Sequence, residues 1–110
     1  MNTVEINVNP GVCGFKTAIT ASSEDKRHAS LDIRTECPNL KPLESELNNL
    51  DAYKECFARF GSSSVFQAAA KYCKHTACPV PTAILKGIEA SCGLALPRDV
   101  EIEIRAVKQP

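Results

Sequence analysis

Apolar residues recur at every second position over residues 3–9 and 99–107, and at every third or fourth position between residues 40 and 92. Such a chain must build strands near its ends and helices in its middle. A two-residue repeat gives a strand one apolar face, and a repeat near 3.6 gives a helix one apolar stripe. In the first stretch Val4, Ile6 and Val8 share one face and Thr3, Glu5 and Asn7 the other. Asn9-Pro10-Gly11 then signals a turn. A second strand is predicted from Phe15 to Ser22, with Phe15, Thr17 and Ile19 on one side. After the polar turn 23–27, residues 28–35 predict a third strand with Ala29, Leu31 and Ile33 inward. These three strands read as an antiparallel meander.

The period then changes. Leu40, Leu43, Leu47 and Leu50 form a helical stripe, with Asn39 as a cap and Pro42 in the first turn. Asp51 caps a short second helix whose stripe is Tyr53, Cys56, Phe57 and Phe60, and Gly61 suits its end. Ser64 and Gln67 read as a capping box for a third helix carrying Val65, Phe66, Ala69, Tyr72 and Cys73. A fourth helix is expected from Pro79 to Ser91, striped by Ile84, Leu85, Ile88 and Cys92 and ended by Gly93. Over 99–107, Val100, Ile102 and Ile104 alternate with Glu101, Glu103 and Arg105, which predicts a last strand. The order βββ-αααα-β implies an α+β fold: one antiparallel sheet with helices packed on one face. The 110 residues suffice for one core, so 1–110 is read as a single domain.

Charge excludes several function classes. The 13 basic and 13 acidic residues cancel, and aromatic residues make up 5% with no Trp. Neither a basic face nor a stacking platform for nucleic acid is expected. The start Met1-Asn2-Thr3-Val4-Glu5-Ile6 has no basic, apolar leader pattern. No apolar run approaches the roughly 18 residues of a membrane span, and Val107-Lys108-Gln109-Pro110 carries no lipidation box. The expectation is a cytoplasmic protein with no nucleic-acid or membrane partner; a protein partner is left open.

A reducing compartment changes the meaning of six cysteines, from disulfides to metal ligands, reactive thiols or small core residues. Cys56 and Cys92 lie on apolar helix stripes and read as core. The other four sit at element ends: Cys13 after a turn, Cys37 before Pro38, Cys73 at the end of the third helix and Cys78 at the start of the fourth. Four thiolates complete a zinc site or the ligand set of an iron–sulfur cluster. Proline after Cys37 and after Cys78 adds weight towards a cluster. Only Cys73 and Cys78 are close in sequence, with His75 between them. In a meander the first and third strands run parallel, which would bring Cys13 and Cys37 to one end of the sheet. His75 stands in for a ligand, lowers a thiol pKa, or closes a helix end. His28 reads as a solvated turn residue.

Cys78-Pro79-Val80-Pro81, followed by Lys86 and a later strand, resembles the Cys-Pro-x-Pro helix start of the TusA/SirA sulfur-carrier family. The resemblance implies a persulfide-carrying Cys78. A thiol facing free N–H groups at a helix start is expected to favour the thiolate. The match covers about thirty residues. The family's motif lies early, after the first strand, and its preceding Gly is replaced by Thr76-Ala77. Lys86 is roughly 12 Å along the helix from Cys78 at 1.5 Å per residue, out of reach of the thiol. Over most of its length the chain also resembles small cysteine-containing proteins of anaerobic bacteria and methanogens. Cys13-Gly14-Phe15, Cys37-Pro38, His75 through Pro81 and Gly93 through Pro97 carry that resemblance, which implies an anaerobic setting and a small α+β domain.

No phosphate loop, His-Glu-x-x-His or Gly-x-Ser-x-Gly is present, and Glu44, Glu46, Glu101 and Glu103 fall on solvent faces. The residues therefore favour a binding protein over an enzyme. The first reading is a metal- or iron–sulfur-binding protein with ligands Cys13, Cys37, Cys73 and Cys78, and His75 as substitute or neighbour. The alternatives are a thiol or sulfur carrier acting through Cys78, and a structural or interaction domain whose cysteines are incidental.

Overall fold

The computed structural model describes residues 2–108. Three strands, β1 (Asn2–Val8), β2 (Thr17–Ser23) and β3 (His28–Thr35), pair antiparallel in sequence order, with Ile6 opposite Ile19 and Ile19 opposite Ile33. Alternation is clean: Ile19, Ala21, Ala29, Leu31 and Ile33 are buried, while Ala18, Ser30, Asp32 and Arg34 face out. Phe15 lies before β2 and is 42% exposed, so the second strand is shorter at its start than expected. The Asp25 carboxylate builds the β2–β3 turn. It accepts the N–H groups of Arg27 and His28 at 2.9 and 2.8 Å and pairs with His28 Nδ1 at 2.7 Å. His28 is therefore partnered rather than merely solvated. Its side chain is the main reason the Asp25 carboxyl is held well below the usual carboxylate range.

The fourth strand is not the one expected. Helix α1 covers only Leu43–Glu46, and residues Asn49–Asp51 form β4 on the free edge of β3. Leu47 leaves helical geometry at φ −110° and ψ 84°, and the Asn48 side-chain amide donates to the Ser45 carbonyl. Leu31 N–H then donates to the Asn48 carbonyl at 2.7 Å, so the edge of β3 captures the chain. The leucine stripe still points inward: Leu40, Leu43 and Leu47 are buried and Leu50 is half-buried. Sequence spacing found the core residues but extended the helix too far.

Asp51 caps α2 (Ala52–Cys56), accepting from Tyr53 and Lys54 N–H at 2.9 and 3.4 Å. The expected aromatic stripe faces out: Tyr53, Phe57 and Phe60 are exposed, while Ala52 and Glu55 are buried. Arg27 covers the Tyr53 ring at 4.9 Å, which in turn meets Phe57 edge-on. Buried Glu55 receives the N–H groups of Ser64 and Val65 at 3.3 and 3.0 Å, so one helix caps the next. Helix α3 (Ser64–Tyr72) starts one residue earlier in its capping than expected, with Ser63 Oγ accepting Phe66 N–H at 3.2 Å.

Helix α4 (Val80–Ser91) is the main cover of the sheet, lying on β1 and β2 through Ile84 and Ile88. A Cβ at Gly87 would stand 2.6 Å from Ile6 Cδ1, so the missing side chain sets how closely the helix approaches. Gly93 then takes φ +75°, a left-handed helix end. Residues 99–107 form no strand: Val100, Ile102 and Ile104 are 58, 74 and 89% exposed. Alternation supplies a face, but a strand also needs a neighbour to pair with, and β1 and β3 take theirs from β2 and β4. The result is an α+β fold with a four-stranded antiparallel sheet, β1-β2-β3-β4. Among the described residues, no helix is long and apolar enough to cross a membrane.

Candidate functional site

Two of the four element-end cysteines are joined through one backbone carbonyl, and a third lies near them. Cys73 closes α3, Cys78 precedes α4, and Cys37 leaves the end of β3; all three are half-buried against the edge of the core. The short turn 74–77 brings the first two together. His75 supplies the joint through its backbone: the Cys73 thiol donates to the His75 carbonyl at 3.3 Å, and Cys78 N–H donates to the same oxygen at 3.0 Å. Cys73 and Cys37 both lie near enough to Cys78 to act on its thiol electrostatically. Burial, then the Cys73 and Cys37 sulfurs, push the Cys78 thiol above its ordinary pKa, while the Val80 N–H donated to it pulls the other way.

The helix start therefore does not leave Cys78 a ready thiolate. Two prolines surround Val80, so few free N–H groups face the sulfur, and desolvation wins.

Polar residues at the sheet end position Cys37. Thr17 and Thr35 are paired across β2 and β3, and their hydroxyls meet at 2.8 Å in a buried contact. Thr35 Oγ1 also accepts Cys37 N–H at 3.1 Å, and Glu44 accepts Thr35 N–H at 2.9 Å. That hydrogen bond from Thr35 holds the Glu44 carboxyl below its ordinary value. Residue spacing does not reveal these supports. The one signal was a threonine at each inward position of the strand ends, where an apolar residue would be the simpler choice.

Cys13 stands apart from this cluster in exposure. It sits in the β1–β2 connection between Gly11 and Gly14, both at positive φ, and is exposed. The meander does place it at the same end of the sheet as Cys37, because Val8 faces Thr17 and Thr17 faces Thr35. Lys16 and Glu36 tie the two connections together, with Glu36 N–H donating to the Lys16 carbonyl at 2.9 Å and Lys16 N–H to the Glu36 carboxylate at 2.8 Å. The His75 ring is exposed. Cys56, the last residue of α2, and Cys92, the C-cap of α4, lie apart from these, Cys92 buried and Cys56 half-buried. Burial, with Glu89, Cys92 and Glu55 nearby, pushes the Cys56 thiol up to about 11. All six cysteines are free. Among the described residues, no set of three or more His, Cys, Asp or Glu side chains stands ready-made as a coordination shell.

No curated protein and no solved structure matches the chain. The sequence profile of one family does, over residues 4–104, a span that contains all six cysteines and every strand and helix but the first two residues of β1. The chain belongs to this family, described as "Family of unknown function (DUF6951)".

Proposed function

We propose that this chain is a thiolate metal-binding protein, taking zinc or an iron–sulfur cluster on Cys37, Cys73 and Cys78, with Cys13 as the fourth ligand. The reading is carried by Cys73 and Cys78, half-buried and joined through the His75 carbonyl, with half-buried Cys37 near Cys78. The donor set fits a thiophilic metal: soft sulfur donors suit zinc and iron, and a cation relieves the repulsion that keeps neighbouring thiols protonated. Ligation would require Cys73 to exchange its bond to the His75 carbonyl for one to the metal, and the exposed Cys13 connection to close over the cluster. In this reading the six free cysteines belong to a reducing, cytoplasmic setting.

A second reading has Cys78 carry sulfur as a persulfide, favoured by the Val80 N–H donated to its sulfur. Metal and sulfide analysis of anaerobically purified protein separates the two. Stoichiometric zinc, or iron with sulfide, that is lost in Cys37→Ser and Cys78→Ser but kept in Cys56→Ser supports the metal centre. Metal-free protein whose Cys78 thiolate takes one sulfane sulfur from a polysulfide, releasing the polysulfide shortened by one sulfur, replaces it with the carrier.

A further inference from the structure

The alternating segment 99–107 has the composition of a strand and, among the described residues, pairs with no strand. Its apolar side chains at Val100, Ile102 and Ile104 stand in solvent, and the one backbone bond at its base is Arg98 N–H to the Leu96 carbonyl at 2.9 Å, which turns the chain at Pro97. The radius of gyration, 14.4 Å, exceeds the about 13 Å of a compact chain of this length, as an extended arm requires. Opposite this orphan strand stands an orphan edge. Among the described residues β1 pairs only with β2, and its inward Val4 and Ile6 are no more than half-buried.

We propose that segment 99–107 of one copy adds as a fifth strand to the β1 edge of a second copy, in a reciprocal two-fold exchange. Charge selects this pairing. An antiparallel ladder that sets Arg105 opposite Glu5 also sets Ile104 opposite Ile6 and Ile102 opposite Val8, so apolar residues meet on the core face and an ion pair forms on the other. Pairing within one copy is disfavoured by the same test. Leu94–Pro97 line one groove with Asn2, Thr3 and Val4, so the segment leaves the body at the start of β1. Folding back along its own β1 from there would run parallel and bring Glu101 or Glu103 opposite Glu5. Reciprocal exchange pairs the β1 edge and the 99–107 segment of both copies at once, in the self-complementary geometry of a two-fold dimer.

Light scattering on the full chain at about 100 µM, above any micromolar Kd, tests this. The expected result is a dimer. Ile102→Asp with Ile104→Asp should weaken it by more than about 100-fold, since four isoleucines leave the interface. Diluted until the wild type is monomeric, wild type and variant should share the same far-UV spectrum and melting, because both residues are exposed in the single copy. Glu5→Arg should weaken the dimer roughly 2- to 30-fold through its two ion pairs, and adding Arg105→Glu should restore it. A monomeric wild type, a dimer that survives the double aspartate variant, or a charge reversal that fails to restore would each overturn the proposal.

Discussion

Cys73 and Cys78 share one acceptor: the carbonyl oxygen of His75 receives the thiol of the first at 3.3 Å and the backbone N–H of the second at 3.0 Å. Five residues apart, they are held together by the peptide chain of His75 and not by its imidazole, which is exposed.

The proposed metal site does not call on the histidine side chain. His75→Ala should keep the metal content of wild type and its melting temperature within about 0.5 kcal/mol of stability, as for other exposed substitutions. Loss of metal in this variant, measured by elemental analysis, would assign the ring a ligand role instead.

Support from the sheet end is a different matter. Thr35→Val leaves the Thr17 hydroxyl and the Cys37 N–H without their partner, so a loss of about 1–3 kcal/mol is expected in urea unfolding. Replacing both threonines by valine should recover part of that loss, because one orphaned group is removed. Metal affinity should remain reduced in both variants, since the bond that places Cys37 is gone.

Glu55 was invisible as a structural residue, yet it is 5% exposed and caps α3 through two N–H groups. Glu55→Ala should cost about 2–4 kcal/mol, from charged hydrogen bonds lost at a helix start. An effect below about 0.5 kcal/mol in thermal or denaturant unfolding would show that water replaces the carboxylate there.

The Cys56 thiol gives the protein an alkaline limit. Its pKa is raised from 9.0 to about 11 by burial and by Glu89, Cys92 and Glu55. A folded-state pKa above the unfolded one favours the folded state fully below pH 9.0, and that contribution is lost as pH rises from 9.0 to about 11. Stability should therefore fall across this window, and Cys56→Ala should flatten the fall. An equal slope in wild type and variant would place the alkaline transition on other groups.

Local pattern determined much of this protein. The alternation of Val4-Ile6-Val8 and Ala29-Leu31-Ile33, the Asp51 cap and the Gly93 stop are all properties of neighbours in sequence, and the structure follows them. Pattern also identified Leu40, Leu43 and Leu47 as core, but not that the chain would leave the helix there, since the β3 edge that captures β4 is supplied by residues about twenty positions away. The segment 99–107 shows the same division: side-chain alternation is local, whereas pairing requires an edge that tertiary structure must offer. Among the cysteines, sequence marked the element ends and the meander marked a common end of the sheet. Only packing decided that Cys37 joins Cys73 and Cys78 while Cys13 stays exposed, and that Cys78 is a desolvated thiol rather than a poised thiolate. Burial and sulfur–sulfur proximity are set by contacts between distant segments, which no spacing within one segment encodes.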